Sequence, residues 1–243
     1  SAWNNVAAHI ATDPDNATAT IAVPLGAGTG VADNLSNSSS RGPSIFALLK
    51  PDVSAPGTEI LAAFSRWVAV VPRPFGGAVN TALNNVANVI SGTSMAAPHT
   101  AGSAALLRAL NPTWTPTQIK TALVTTAKTP MRKQDGVTPA DPFDYGAGRV
   151  DLTRAAKAGL IMDETGANYT AANPATGGNP ASLNLPSFQE PACVTTCTFI
   201  RSVRGTSVDV VTWSATLTGL PAGAGSIDPP TFAASSAATT DFT

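Results

Sequence analysis

"SGTSMAAPH" spans Ser91 to His99, and its reading decides the fold. The serine at 94 sits among small residues, just after the β-branched "NVI" and just before an alanine-rich run. That is the pattern of a strand turning into a helix with a serine at the bend. A serine hydroxyl is a poor nucleophile near neutral pH and needs a neighbouring base to take its proton. It also needs donors for the oxyanion that forms when it attacks a carbonyl. The free N–H groups of a helix's first turn are such donors, and Gly92 allows the tight turn that aims them. Met95, Ala96 and Ala97 let the start of the helix pack close beneath. A serine before a helix also serves simply as its cap, so these nine residues alone leave both readings open.

Outward from the bend, strand and helix signals alternate. "ATATIAV" (Ala17 to Val23), "GTEILAAF" after a Pro-Gly turn, and "VANVI" read as short strands. The run from Ser94 to Leu110 reads as a helix stopped at Asn111-Pro112. "TPTQIKTALVTTAK" opens another, with Thr115 as N-cap, Pro116 at the first helical position and Gln118 completing a capping box. Ile119, Leu123 and Val124 face inward on it. A third is expected at "DLTRAAKAG", capped by Asp151 and closed by Gly159. Strands feeding helices indicate an α/β layer fold.

Past residue 160 the character changes. Residues 161–186 are rich in Pro, Gly and Asn without a sustained period, and read as a linker or irregular surface segment. "TCTFIRSVR" and "SVDVVTWSATLTGL" then alternate as strands do, with Val211, Trp213, Ala215 and Leu217 on one face. Two or three strands do not bury a core alone, so 187–243 is expected to be an incomplete all-β sandwich-like domain.

Composition limits the partners. The 243 residues carry 14 basic and 15 acidic side chains, a net charge of −1. This balance points to no nucleic acid and no anionic membrane, and the apolar runs are too short to cross a bilayer. Charged residues are 12%, about half the ordinary share, and the excess of Ala, Thr, Ser, Asn, Gly and Pro leans toward a secreted protein.

The segment "SGTSMAAPHTAG" resembles the serine segment of the subtilases, the subtilisin-like serine proteases. "SSSRGP" (Ser38 to Pro43) and "LKPDVSAPGTEILAAF" (Leu49 to Phe64) resemble two further segments of that family, in the same order. "NPTWTPTQIKTALVTTA" and "DYGAGRVDLTRAA" resemble its closing helices and the turn between them. The resemblance covers roughly residues 30 to 158. It implies the second half of a parallel-sheet catalytic domain with flanking helices over 30–160, with 1–29 as a connecting segment similar to the end of a protease-associated insert. The tail resembles the start of a fibronectin type III-like domain. The implied activity is peptide-bond hydrolysis of a peptide or protein substrate through an acyl-enzyme on Ser94. Ser94's own N–H is implied as one oxyanion donor, and Gly92 and Met95 as residues beside the substrate. No cofactor is implied, though calcium accompanies some members.

In that family the acid and the base precede the serine, as does an oxyanion asparagine. None is found here in its motif. His9 lacks the "HGTHVAG" context, His99 follows Ser94 on the same helix, and Asp13, Asp15 and Asp33 are no better as the acid. No segment resembles the "AAGN" run. The chain is therefore expected to be the C-terminal part of a subtilase whose N-terminal half supplies those groups, and to be inactive and prone to self-association alone. "GTSMA" also approaches the G-x-S-x-G elbow of α/β-hydrolases, but that fold needs a later histidine well separated from the serine.

Cys193 and Cys197 either bridge across a tight loop or stay reduced, and an even pair in a chain read as secreted favours the bridge. A four-residue spacing with no nearby histidine argues against zinc. Asp135, Asp141 and Asp144 lack EF-hand spacing and read as loop carboxylates rather than calcium ligands. The run "SRWVAVVPRPFGGAVNTALNN" after Phe64 is read as a loop, either bordering the cleft or a surface insertion.

Overall fold

The structure, a computed structural model, describes residues 32–63 and 87–243. Its described residues fall into two compact units. One holds residue 32 with 58–63 and 87–91; the other holds Asp33–Gly57 with Gly92–Thr243. The strand expected over Ala17 to Val23 and the loop expected after Phe64 lie outside the described residues, as do His9, Asp13 and Asp15.

In the first unit β1 (Ile60–Ala63) pairs antiparallel with β2 (Ala87–Ile90), Ile60 facing Ile90 and Ala63 facing Ala87. Both strands fall where their β-branched sequences predict. The Glu59 N–H donates to Ser91 Oγ at 2.8 Å, closing the open end of the pair.

The second unit opens with α1 (Thr93–Leu110), which stops at Asn111 before Pro112 as expected. In α2 (Pro116–Thr125) the capping box is present in full: Thr115 Oγ1 accepts from the Gln118 N–H and the Gln118 side chain accepts from the Thr115 N–H. Ile119, Leu123 and Val124 are buried as predicted. Two one-turn helices follow, α3 (Pro142–Tyr145) and α4 (Leu152–Ala155), each capped by an aspartate, Asp141 and Asp151. Leu107, Trp114, Ile119, Ala122, Leu123, Ala155, Ala158 and Ile161 form one apolar core.

The third expected helix is shorter than its pattern suggests, ending at Ala155. Gly159 does not close it. A Cβ at 159 would collide with the Trp213 ring, so the glycine there permits close packing rather than a left-handed cap.

Three carboxylates tie the segment before Ser94 to the segment after it. Asp33 pairs with Arg149 and, at 3.3 Å, with Lys128. Asp52 pairs with Lys120 at 2.7 Å and Lys50 at 2.6 Å. Asp144, 3% exposed, pairs with Arg41 at 2.8 Å and Lys133 at 3.4 Å. At all three, burial opposes the charged form, but the cations and hydrogen bonds outweigh it and hold the carboxyl below its ordinary range. Asp141 is spent on its helix cap, and Asp135 accepts from the N–H groups of Val137 and Thr138. Those bonds, with one from the Thr138 hydroxyl, lower Asp135 to about 2.

Beyond residue 160, β3 (Leu160–Ile161), β4 (Arg201–Gly205) and β7 (Thr239–Phe242) form one antiparallel sheet, and β5 (Val211–Ser214) with β6 (Thr231–Ala234) another pair. Met162, Val203, Phe232 and Ala234 are their core, with Trp213, Ala215 and Phe242 packed against it. Strand β5 ends at Ser214, short of the expected run to Leu217, and Val211 and Leu217 remain 40% and 45% exposed.

The stretch 161–186 is not a bare linker. It carries α5 (Gly166–Ala171) and buries Ala172, Leu183 and Leu185, with Leu48 against them. The Asn184 amide donates to the Ser202 carbonyl and accepts from its N–H, both at 2.9 Å. The buried Arg201 guanidinium donates to the Leu185 and Ser187 carbonyls. Such side-chain-to-backbone bonds order a segment that has no periodic apolar face. The Cys193–Cys197 bridge is formed, with Cα atoms 5.8 Å apart.

Among the described residues the expected parallel sheet is not formed. Each pair of strands named above is antiparallel, and parallel pairing occurs only as isolated bridges of Asn34 with Arg132 and Ser54 with Arg149. Parallel neighbours require a strand returned by a crossover, and the described residues supply β1 and β2 only with each other.

Candidate functional site

Ser94 is the second residue of α1 and is exposed. At that position its N–H has no intrahelical partner, since the first turn of any helix leaves its donors free. Nothing acidic stands in this turn and no side chain caps it. The positive end of the helix is therefore open to a negatively charged oxygen.

Two glycines make this start possible. Gly92, the N-cap, has φ 156° and donates its N–H to the Gly57 carbonyl at 2.7 Å. A Cβ on Gly57 would stand 2.8 Å from Gly92 O and 3.2 Å from Ala96 Cβ. The "APG" turn thus packs directly against the first turn of α1, which only glycine allows. Sequence reasoning takes Gly57 as a turn residue and misses this second task; the signal was its place in the family's "APG" segment.

Met95 is half-buried, donates its N–H to the Gly92 carbonyl at 2.9 Å, and its own carbonyl lies 2.8 Å from His99 Nδ1. Of the candidate residues, Gly92, Ser94 and Met95 are therefore together. His99 is exposed and turned back along the helix toward Met95 O, not toward the hydroxyl. Asp33 is held by Arg149 and Lys128. Among the described residues, then, no histidine–carboxylate pair accompanies Ser94, and no group of three or more His, Cys, Asp or Glu gathers as a metal site.

A cavity of about 530 Å³ lies between α1 and α2, lined by Ala97, Ala101, Ala104, Ile119 and Leu123 with Asp52 and Lys120 among the polar residues. Ser94 is not part of it. Among the described residues no helix is long and apolar enough to cross a membrane.

Comparison with known proteins puts this helix and its exposed serine in a chain of the subtilisin-like class. The subtilase family profile matches residues 1–148, more than half of the chain. This chain belongs to the subtilase family. It is 43% identical over 157 residues to subtilisin-like protease SBT4.3 of Arabidopsis thaliana, covering 64% of this chain and 21% of that protein. It is 39% identical over 211 residues to subtilisin-like protease SBT1.7 of the same plant, covering 74% and 27%. With subtilisin-like protease SBT3 of Solanum lycopersicum the identity is 42% over 142 residues, covering 54% and 18%. The chain spans about a fifth to a quarter of the length of these relatives.

Proposed function

We propose that this sequence supplies the nucleophile segment of a secreted serine endopeptidase, with Ser94 as the nucleophile. Ser94 Oγ attacks the carbonyl carbon of a peptide bond, and its proton passes to a histidine in a segment that precedes this sequence in the working enzyme. The oxyanion is received by the Ser94 N–H and by an asparagine from the same preceding segment. The C–N bond then breaks as the histidine protonates the amine, and water releases the acyl group. Gly92 keeps the approach to Ser94 clear, and Met95 flanks the leaving-group side.

The observation that carries this reading is an exposed serine on the open first turn of a helix, in a chain of this family. The same observations favour inactivity of the chain by itself, since the only histidine among the described residues is spent on Met95 O. We place the catalytic part at 30–160 and read 187–243 as fibronectin type III-like, with 1–29 and 161–186 as connecting segments. The N-terminal half of the protease domain is the partner that completes the site, and the uncovered apolar face of α1 is where it packs.

A fluorophosphonate probe tests both statements. The chain alone should not label. Supplying the preceding half should bring labelling that Ser94→Ala removes. Labelling of the chain alone, or labelling that survives Ser94→Ala, refutes the corresponding statement.

A further inference from the structure

Pro98 lies inside α1, one turn after Ser94. It has no N–H, so the bond that a regular helix would give to the Ser94 carbonyl cannot form. The turn that bears the nucleophile is one backbone bond short. The adjacent carbonyl, Met95 O, lies in the same turn and has His99 Nδ1 2.8 Å away. A carbonyl only accepts, so Nδ1 carries the proton, as it does both in one neutral tautomer and in the cation. On the other side, the Met95 N–H donates to Gly92 O at 2.9 Å, and the Ala96 N–H reaches the same oxygen at 3.3 Å. The peptide units on both sides of Met95 are therefore anchored, the first to Gly92 and the second to the imidazole. The device is not isolated in α1. Thr100 Oγ1 donates to the Ala96 carbonyl at 3.3 Å and Ser103 Oγ to the His99 carbonyl at 2.7 Å.

We propose that His99 is a positioning residue for Ser94, its Nδ1–H bracing the Met95 carbonyl in the turn that Pro98 leaves one backbone bond short. The role rests on the reading of Ser94 as nucleophile. The ring exchanges no proton with substrate; it holds the Ser94 hydroxyl and the Ser94 N–H in fixed relation, so that nucleophile and oxyanion donor arrive together.

The test is an isosteric pair, His99→Thr and His99→Val, in the complete protease that carries this sequence. Thr at 99 places a hydroxyl where it bonds the carbonyl four residues back, as Thr100 does here, and Val has the same shape without the donor. Both lose the ring, so packing effects cancel in the comparison. The expected result is a kcat about tenfold lower for Val than for Thr at equal KM, the kinetic equivalent of one net hydrogen bond. The pH profile of kcat/KM should be the same for the two. Equal kcat values, or a difference confined to KM, overturn the proposal. Amide hydrogen exchange over residues 93–103 reads the clamp without catalysis: faster exchange in Val than in Thr is expected, and equal exchange overturns it. Activity that survives Ser94→Ala refutes the nucleophile, whereas the exchange comparison still judges the clamp, so the two failures are distinguishable.

Discussion

α1 and α2 follow one another in the chain and end in opposite environments. α2 buries seven of its ten residues; α1 buries only Ser103 and Leu107 of eighteen. Yet α1 is the more apolar, and Leu106 and Leu110 stand 58% and 65% exposed. A helix that is apolar on most sides is ordinarily covered on most sides. α2 is complete within this chain: it is capped by Thr115, packed on Leu107 and Ala155, and tied through Gln118 to Asp163 at 2.8 Å. α1 is held at its start by Gly57 and near its end by Leu107, and the face between is open. The difference separates a helix stabilised by its neighbours here from one whose remaining neighbours, in the function proposed above, come from a preceding segment.

Substitutions along the two helices should break this comparison in order of size. Leu107→Ala and Leu123→Ala each remove a buried side chain from the shared core and should cost about 3 kcal/mol in urea unfolding. A cost below about 1 kcal/mol at both would mean that this core does not hold the unit together.

Asp144→Asn should come next, at about 2 kcal/mol, because it leaves Arg41 and Lys133 facing a neutral amide. The same contacts set the acid limit. Asp33, Asp52 and Asp144 have folded-state pKa values below their unfolded ones. Their stabilisation is fully present above the unfolded carboxylate value of about 3.9 and is lost as pH falls through the lower folded values. Melting temperature should thus hold from neutral pH to about 4 and fall below it. Asp144→Asn should flatten that fall, and an unchanged acid limb would show that other groups control it.

Thr115→Ala should cost about 1 kcal/mol through loss of the capping box. Thr115→Ser, which keeps the hydroxyl, should cost less in the same titration. Leu106→Ala should be smallest, within about 0.5 kcal/mol in this chain. In the complete protease the same change should cost clearly more, and equal small costs in both would remove the case for a covered α1.

Much of α2 was readable in advance because its signals are local. A Thr, a Pro and a Gln at fixed offsets satisfy the end of a helix wherever that helix sits. The stops at Asn111-Pro112 and the aspartate cap at Asp151 are of the same kind. Gly159 was misread because its role depends on Trp213, more than fifty residues away, and a glycine that makes room for a ring looks the same in sequence as one that ends a helix. The stretch 161–186 was underestimated for a related reason. Asn184 and Arg201 order it through bonds to backbone atoms, which leave no period. At the candidate site, Ser94, Gly92 and Met95 are named by the motif, while the packing of Gly57 on α1 and the His99–Met95 bond leave no local signal.

The family was legible in the amino-acid sequence through several motifs in order, and the helix start at Gly92 and the caps of the helices through residues within about one turn of one another. Which glycine serves a turn and which a contact, which cations hold Asp33, Asp52 and Asp144, and which faces of α1 find neighbours were decided only by the tertiary structure. Those outcomes depend on groups brought together from distant parts of the chain, and close packing leaves no local trace of the partner it requires.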